Sequence, residues 1–468
     1  MVFSSLEFLF LYFPAVLLLY FLMPIRFRNL ALFAVSLVFY GWGEPLYVFL
    51  MLATITLDYV FGLFVGRYRK TDKKRARAWL IAAVAVNLSI LGFFKYYNFF
   101  AGMLSALPGV ALPELNVRLP IGISFYTFQA LSYVIDVYRF DADSQRSYVA
   151  FGTYVTLFPQ LIAGPIVRYQ DVDDQLRSRT HSAPLFASGV RTFVAGMAKK
   201  VLLANAAGEI WSRLSEAETT TVAAAWLGIV LYTFQIYFDF SGYSDMAIGL
   251  GKMLGFSFRE NFFYPYMADS VTDFWRRWHI SLSTWFREYV YIPLGGNRRG
   301  KARQIFNLFV VWLLTGLWHG ASWNFVLWGL YYFVLLMLEK LFLLDAFKRL
   351  PRALCRAYTL LAVVFGWLIF YFQDFGAGRT YFAAMFGGGN ACGFWNAGAR
   401  LDIVSSLGLL ILLCVAATPY PRRLFYRFWE KHDGAARALS VALCAAGFVL
   451  SLAYLVNSSY NPFLYFQF

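Results

Sequence analysis

The chain carries four histidines in 468 residues, and one of them stands apart. His319 sits in VVWLLTGLWHGASWNFVLWG (310–329), and no Asp, Glu, Lys or Arg occurs from 305 to 338. A charge at the centre of a bilayer costs about 2.5 kcal/mol or more, so an ionisable residue at such depth is read first as functional. A neutral imidazole can accept a proton from a hydroxyl, which makes general-base catalysis the chemistry to test. The competing reading is a structural histidine hydrogen-bonded between helices. Gly316 and Gly320 flank His319. They leave room for a ligand or a second backbone, or simply for tight helix packing. Asn324, five residues on, is a candidate substrate contact. Trp318, with Trp323 and Trp328, is a candidate tunnel wall, although an aromatic stripe is more often plain packing.

A second polar group lies in LYTFQIYFDFSGYSDMAIGLGK (231–252). Gln235 and Asp239 are four residues apart and share a helix face, so both join the candidate substrate-binding set; Asp245 follows. A buried carboxylate needs a partner, and an ion pair with Arg276 or Arg277 is at least as good a reading for Asp239 as catalysis. The string GLGKMLG matches no phosphate-binding loop. His181 and His432 fall in polar, basic loops and are expected to be solvated. There is no zinc spacing, HExxH motif or nucleophile elbow. Two histidines alone make a poor metal site, so neither a metal nor a resident cofactor is expected. The four cysteines are scattered without a CxxC pair.

The elements that position these residues follow from composition. The chain is 60% hydrophobic, 20% aromatic and only 14% charged, against about 25% charged in ordinary globular domains. The apolar runs are continuous rather than alternating, which selects membrane-spanning helices over barrel strands. Spans are expected near 6–23, 29–43, 46–66, 78–96, 119–138, 150–166, 186–206, 222–240, 305–318, 323–344, 356–373, 402–418 and 438–456. Some are too short for a bilayer core that needs about 20 helical residues. The expectation is therefore an all-α polytopic protein with roughly eleven crossings. The first run lacks the flanks of a cleaved signal peptide and is taken as a span.

The net charge of +15 does not imply a nucleic-acid partner. The basic residues cluster between apolar runs, at 67–77, 298–303 and 422–437. That is the positive-inside pattern. It places these loops in the cytoplasm, with the amino terminus outside and anionic lipid as their partner. One segment differs. In SVTDFWRRWHISLSTWFREYVYIPLGG (270–296), Phe274, Trp278, Leu282, Trp285 and Tyr289 share a face at helical spacing. This predicts one amphipathic helix lying in the interface, with His279 at the edge of its apolar face.

The strings QIYFDFSGYSDMAIGLG, FWRRWHISLSTWFREYVYIPLGGNRRG and TGLWHGASWNFVLWG resemble those of the membrane-bound O-acyltransferase family, above all its bacterial branch that acetylates exopolysaccharides. The likeness extends to LPIGISFYTFQALSYVIDVYR, LFPQLIAGPIVRY and PFLYFQF, and so to nearly the whole chain, read as one domain over 1–468. The segments 340–360 and 376–402 carry the least of it. The resemblance implies helices and re-entrant segments around a central tunnel. It maps the family's catalytic histidine onto His319. The second functional histidine of the bacterial branch maps onto His279, where other branches carry asparagine or aspartate.

The implied reaction draws acetyl from cytoplasmic acetyl-CoA and delivers it across the bacterial inner membrane. The acceptor is an exopolysaccharide such as alginate or cellulose, reached through a periplasmic polysaccharide acetyltransferase partner. Arg298, Arg299 and Lys301 would meet the donor's phosphates, and His319 would act as base. His279 would orient the acceptor or stabilise the oxyanion, and Asp239 or Asp245 would fix a histidine tautomer. Peptidoglycan O-acetylation and teichoic acid D-alanylation use the same chemistry on other substrates. A transporter would also suit midplane polar residues, but the sequence shows no internal two-fold similarity.

Overall fold

The computed structural model describes residues 1–458 and 460–464. Every element named among them is a helix. Seven helices are long and apolar enough to cross a membrane: Tyr47–Tyr68, Lys73–Ser105, Val222–Met253, Trp323–Phe347, Arg352–Tyr371, Ala397–Ala416 and Asp433–Asn457. Phe8–Leu22 is a shorter apolar helix. The last span shows why water is an unsuitable solvent for this surface. Only 11% of its apolar window is buried, and Val441, Val449 and Val456 are 60–72% exposed. Apolar side chains on that scale are stable against lipid, where the helix satisfies its own backbone. The chain is a multi-pass membrane protein.

Contacts divide the chain into two compact units, Met1–Phe193 with Tyr243–Arg259, and Val194–Gly242 with Glu260–Phe468. Neither is continuous in sequence. In the first unit, Ile123–Arg139 is buried on nearly every side, polar residues such as Gln129 and Asp136 included. The buried Asp58 accepts a 2.7 Å hydrogen bond from Asn87, tying helix Tyr47–Tyr68 to Lys73–Ser105. His181 is not the solvated loop residue expected: its ring lies 2.9 Å from the Tyr20 hydroxyl and 3.3 Å from the Arg28 guanidinium.

The second unit contains the core that matters for the site. Trp278, Trp328, Tyr332 and Trp367 are all buried there, and aromatic edges meet faces, as between Trp275 and Trp328 at 5.4 Å. Helices Lys301–His319 and Trp323–Leu338 cross where glycine removes bulk. A Cβ on Gly316 would stand 2.4 Å from the Phe325 carbonyl oxygen, and one on Gly329 would stand 2.4 Å from that of Trp312. Gly320 likewise abuts the Phe325 ring. Of the two readings of these glycines, helix packing is the one the structure adopts.

Most of the apolar runs correspond to helices, with four differences. The run read as 150–166 is not one helix: Tyr148–Thr156 stops at Leu157 and only the four-residue Phe158–Leu161 follows. The run read as 222–240 continues to Met253, through Ser241 and Gly242. The basic stretch read as a loop at 422–437 contains helix Tyr420–Lys431, and a further helix occupies Phe375–Ala384. The single amphipathic helix expected at 270–296 is broken. It forms Val271–Arg277 and Ile280–Phe286, followed by a π-helical turn Arg287–Tyr291. The five residues of its apolar face are nevertheless all buried.

Candidate active site

The break in that helix is made by Asn261. Its backbone carbonyl accepts the Ile280 N–H at 2.9 Å, and its side-chain Oδ1 accepts the Ser281 N–H at 3.1 Å. A continuous helix would have directed those N–H groups to the carbonyls four residues back. The chain instead passes through Trp278 in an extended conformation and His279 at φ 45°. A non-glycine residue in the left-handed region is uncommon, and such strain clusters at functional sites. The preceding helix is held at its start by Glu339. The buried carboxylate accepts the Val271 N–H at 2.7 Å and the Thr272 N–H at 2.8 Å.

His279 is 1% exposed. Its Nδ1 lies 3.3 Å from Asn261 Oδ1. That amide atom must be oxygen, because it accepts the Ser281 N–H. Nδ1 therefore carries the proton, and Nε2 is left as a bare acceptor. Nε2 is buried and has no hydrogen-bond partner among the described residues. Burial also holds the His279 pKa well below the ordinary histidine range, so the ring stays neutral. A neutral ring in this tautomer has no donor to offer an oxyanion. Of the two roles expected for His279, orienting the acceptor is the one that an accepting Nε2 could serve.

His319 ends helix Lys301–His319, where the chain turns extended at Gly320. Its half-buried ring meets Trp328 at 4.9 Å and Phe370 at 5.3 Å, both edge to face. Trp318 sits between the two histidines, 5.0 Å from the His319 ring and 6.0 Å from that of His279.

One cavity of about 1030 Å³ has both His279 and His319 in its wall. It also has Arg276, Arg287, Arg298, Arg299 and Lys340, and no carboxylate. Arg298 and Arg299 reach it from a turn in which Gly295 and Gly296 adopt positive φ, 109° and 56°. Its volume is at the top of the range of about 300–1,000 Å³ usual for ligand sites. Of these five cations only Arg287 has a carboxylate nearby among the described residues, Glu288 at 3.7 Å, and the positive wall makes the cavity a receptor for an extended anion.

The other sequence candidates do different work. Asn324 lines neither this cavity nor the smaller one described below; its amide donates to the Phe370 carbonyl at 2.8 Å, so the expected substrate contact becomes an interhelical tie. Asp239 pairs not with Arg276 or Arg277 but with Lys200, at 2.9 Å, while Arg277 pairs with Asp273. Gln235 donates to the Tyr460 hydroxyl at 3.4 Å. The shared face of Gln235 and Asp239 thus holds the C-terminal segment. Asp245 belongs to the other compact unit. Asn261, Glu339, Lys340 and Lys200 were not singled out from the sequence. Nothing in their local strings marks them, since each acts across a long separation. No cluster of three or more metal-binding side chains occurs among the described residues.

Residues 139–376 match the family model of MBOAT, the membrane-bound O-acyltransferase family. The chain belongs to that family. It is 41% identical to a probable alginate O-acetylase of Pseudomonas putida, with both chains covered in full. It is equally similar, at 41% over the full length of both, to a probable alginate O-acetylase of Azotobacter vinelandii. A peptidoglycan O-acetyltransferase of Helicobacter pylori is 33% identical, over 79% of this chain and 77% of its own. Membership makes the chain an O-acyltransferase, and the two histidines share a cavity in a protein whose family performs acyl transfer.

Proposed function

We propose that this protein takes acetyl groups from acetyl-CoA and passes them across the bacterial inner membrane for O-acetylation of an exopolysaccharide, alginate above all and cellulose as the neighbouring possibility. The carrying observation is the single cavity whose wall joins His279 and His319 to five cations and no carboxylate. The names of the two most similar relatives described above support the acetyl group and alginate.

In this reading the donor enters from the cytoplasm. Its phosphates meet Arg298 and Arg299, and its pantetheine arm extends toward His319. The hydroxyl of the acceptor attacks the thioester carbonyl as its proton passes to His319. A carbon–oxygen bond forms, the carbon–sulfur bond breaks, and the proton goes on to the sulfur. The products are an ester and free coenzyme A. The bare Nε2 of His279 accepts a hydrogen bond from an amide N–H of the pantetheine arm or from the acceptor hydroxyl. Asn261 positions that ring. The finer architecture belongs to the same proposal: roughly eleven crossings around a tunnel, basic loops in the cytoplasm against anionic lipid, and a periplasmic polysaccharide acetyltransferase that receives the group.

The test is transfer of labelled acetyl from acetyl-CoA to polymer by membranes containing the protein and its periplasmic partner. Label in the polymer that depends on both histidines supports the reading. Label that appears equally with both histidines replaced sinks it. The Helicobacter pylori relative favours one second reading, peptidoglycan as the acceptor. Mass spectrometry of wall muropeptides and of secreted polysaccharide, with and without the protein, separates the two.

A further inference from the structure

A second, small cavity of about 30 Å³ lies against His319. Two of its walls, Phe463 and Leu464, come from the C-terminal segment, and Ile236, Asp239, Trp328 and Phe370 supply others. This segment is not held by apolar packing alone. The Leu464 N–H donates to Asp239 Oδ2 at 2.9 Å. Asp239 Oδ1 is 2.9 Å from Lys200 Nζ. Lys200 Nζ also donates to Asn205 Oδ1 at 2.6 Å and to the Pro462 carbonyl. The ammonium thus hydrogen-bonds to two acceptors and meets Asp239 Oδ1 as an ion pair. Both charged side chains are 3% exposed.

A buried ion pair is weak grounds for stability, because desolvation offsets most of its attraction. What this one does supply is position: one partner grips the Pro462 carbonyl and the other the Leu464 amide, fixing the intervening residue and its neighbour against the cavity. The cavity then has a definite size. A water-sized group needs about 10–15 Å³ of such space, so the cavity accepts about two, which suits a carbonyl oxygen and a methyl but no further methylenes.

The geometry points to this cavity as the acyl-length gauge: Phe463 and Leu464, pinned by Lys200 and Asp239, close the end of the acyl site and restrict transfer to a two-carbon group. The inference rests on His319 as the place of acyl transfer. Lys200 is a positioning residue, Asp239 both positions Leu464 and lines the cavity, and Phe463 and Leu464 determine specificity.

The experiment measures coenzyme A thiol released from acetyl-, propionyl- and butyryl-CoA by membranes containing the full chain together with its periplasmic partner and the polymer as acceptor, with His319→Ala membranes as background. Wild type is expected to favour acetyl over propionyl by about 10–200-fold in kcat/KM, the usual discrimination for one methylene in an apolar pocket. Leu464→Ala and Phe463→Ala each enlarge the end wall and should cut that ratio at least about tenfold while acetyl turnover persists. Single changes at Lys200 or Asp239 leave a buried charge alone and threaten folding. The double variant Lys200→Met/Asp239→Leu removes both charges and should fold, and it should show the same relaxed ratio. A purely structural pair would change protein yield and leave the ratio alone.

An unchanged ratio in both end-wall variants, or a wild type that takes propionyl as readily as acetyl, overturns the gauge. An unchanged ratio in the double variant overturns the pinning role. If wild type releases no thiol from acetyl-CoA above the His319→Ala background, the underlying assignment of His319 fails, a different outcome from failure of the gauge.

Discussion

Replacing His319 by alanine tests the centre of the proposed mechanism, and the structure sets both sides of the expected effect. The ring is half-buried and contacts Trp318, Trp328 and Phe370 at 5.0, 4.9 and 5.3 Å between centroids. It lines the 1030 Å³ cavity and the 30 Å³ cavity alike. Its removal therefore joins two existing spaces and creates no sealed void. Water can fill the gap, and the stability loss should stay within about 1–3 kcal/mol, the common range for a point change. The chemical loss should be larger. A positioned base contributes about 10²–10⁴-fold, or ~2.7–5.4 kcal/mol of barrier at 1.36 kcal/mol per tenfold. The assay is labelled acetyl transfer in membranes, with thermal unfolding in detergent as the control for folding. His319→Gln, which keeps most of the volume, should be equally inactive. Free imidazole added to the alanine variant should restore part of the rate, since the vacated space opens onto the large cavity. Turnover within about twofold of wild type in a well-folded alanine variant lies far outside that 10²–10⁴ range, and would refute the base assignment.

Three further outcomes are expected. Gly316→Ala places a Cβ 2.4 Å from the Phe325 carbonyl oxygen; the forced separation of two helices should cost about 1–3 kcal/mol and lower the unfolding temperature, and an unchanged temperature would show that the crossing yields freely. Arg298→Ala and Arg299→Ala each remove a charge-assisted contact worth about 1.5–3 kcal/mol. KM for acetyl-CoA should rise at least about tenfold at low salt, less at high ionic strength, with kcat held; an unchanged KM in the double variant would move the donor site elsewhere. His279→Asn keeps a side chain that tolerates positive φ, so it should fold with strongly reduced transfer. Because burial lowers the folded-state pKa of His279, the folded protein binds fewer protons than the unfolded chain. Stability should fall as pH drops below the unfolded value of about 6.5, and the asparagine variant should lose that component of the acid sensitivity in unfolding measurements.

The fold class was legible because its signal is local and additive. An apolar run such as 433–457 carries its own instruction, since a helix satisfies its backbone hydrogen bonds from within. His319 was legible for a related reason: a polar side chain inside 34 uncharged residues (305–338) is conspicuous by cost alone. The sequence also placed Gln235 and Asp239 on one face by spacing, and it marked the apolar stripe from Phe274 to Tyr289.

What those residues do was decided by partners far away in the chain. Asp239 gains its meaning from Lys200 and from the Leu464 amide, separated from it by 225 residues. His279 becomes a neutral acceptor at φ 45° only because Asn261 takes the N–H groups of Ile280 and Ser281 and so breaks a helix that spacing alone would continue. Helical periodicity is a property of neighbours three and four residues apart. The protonation state of a ring and the size of a cavity depend on groups brought together by packing, and no local pattern in the chain records them.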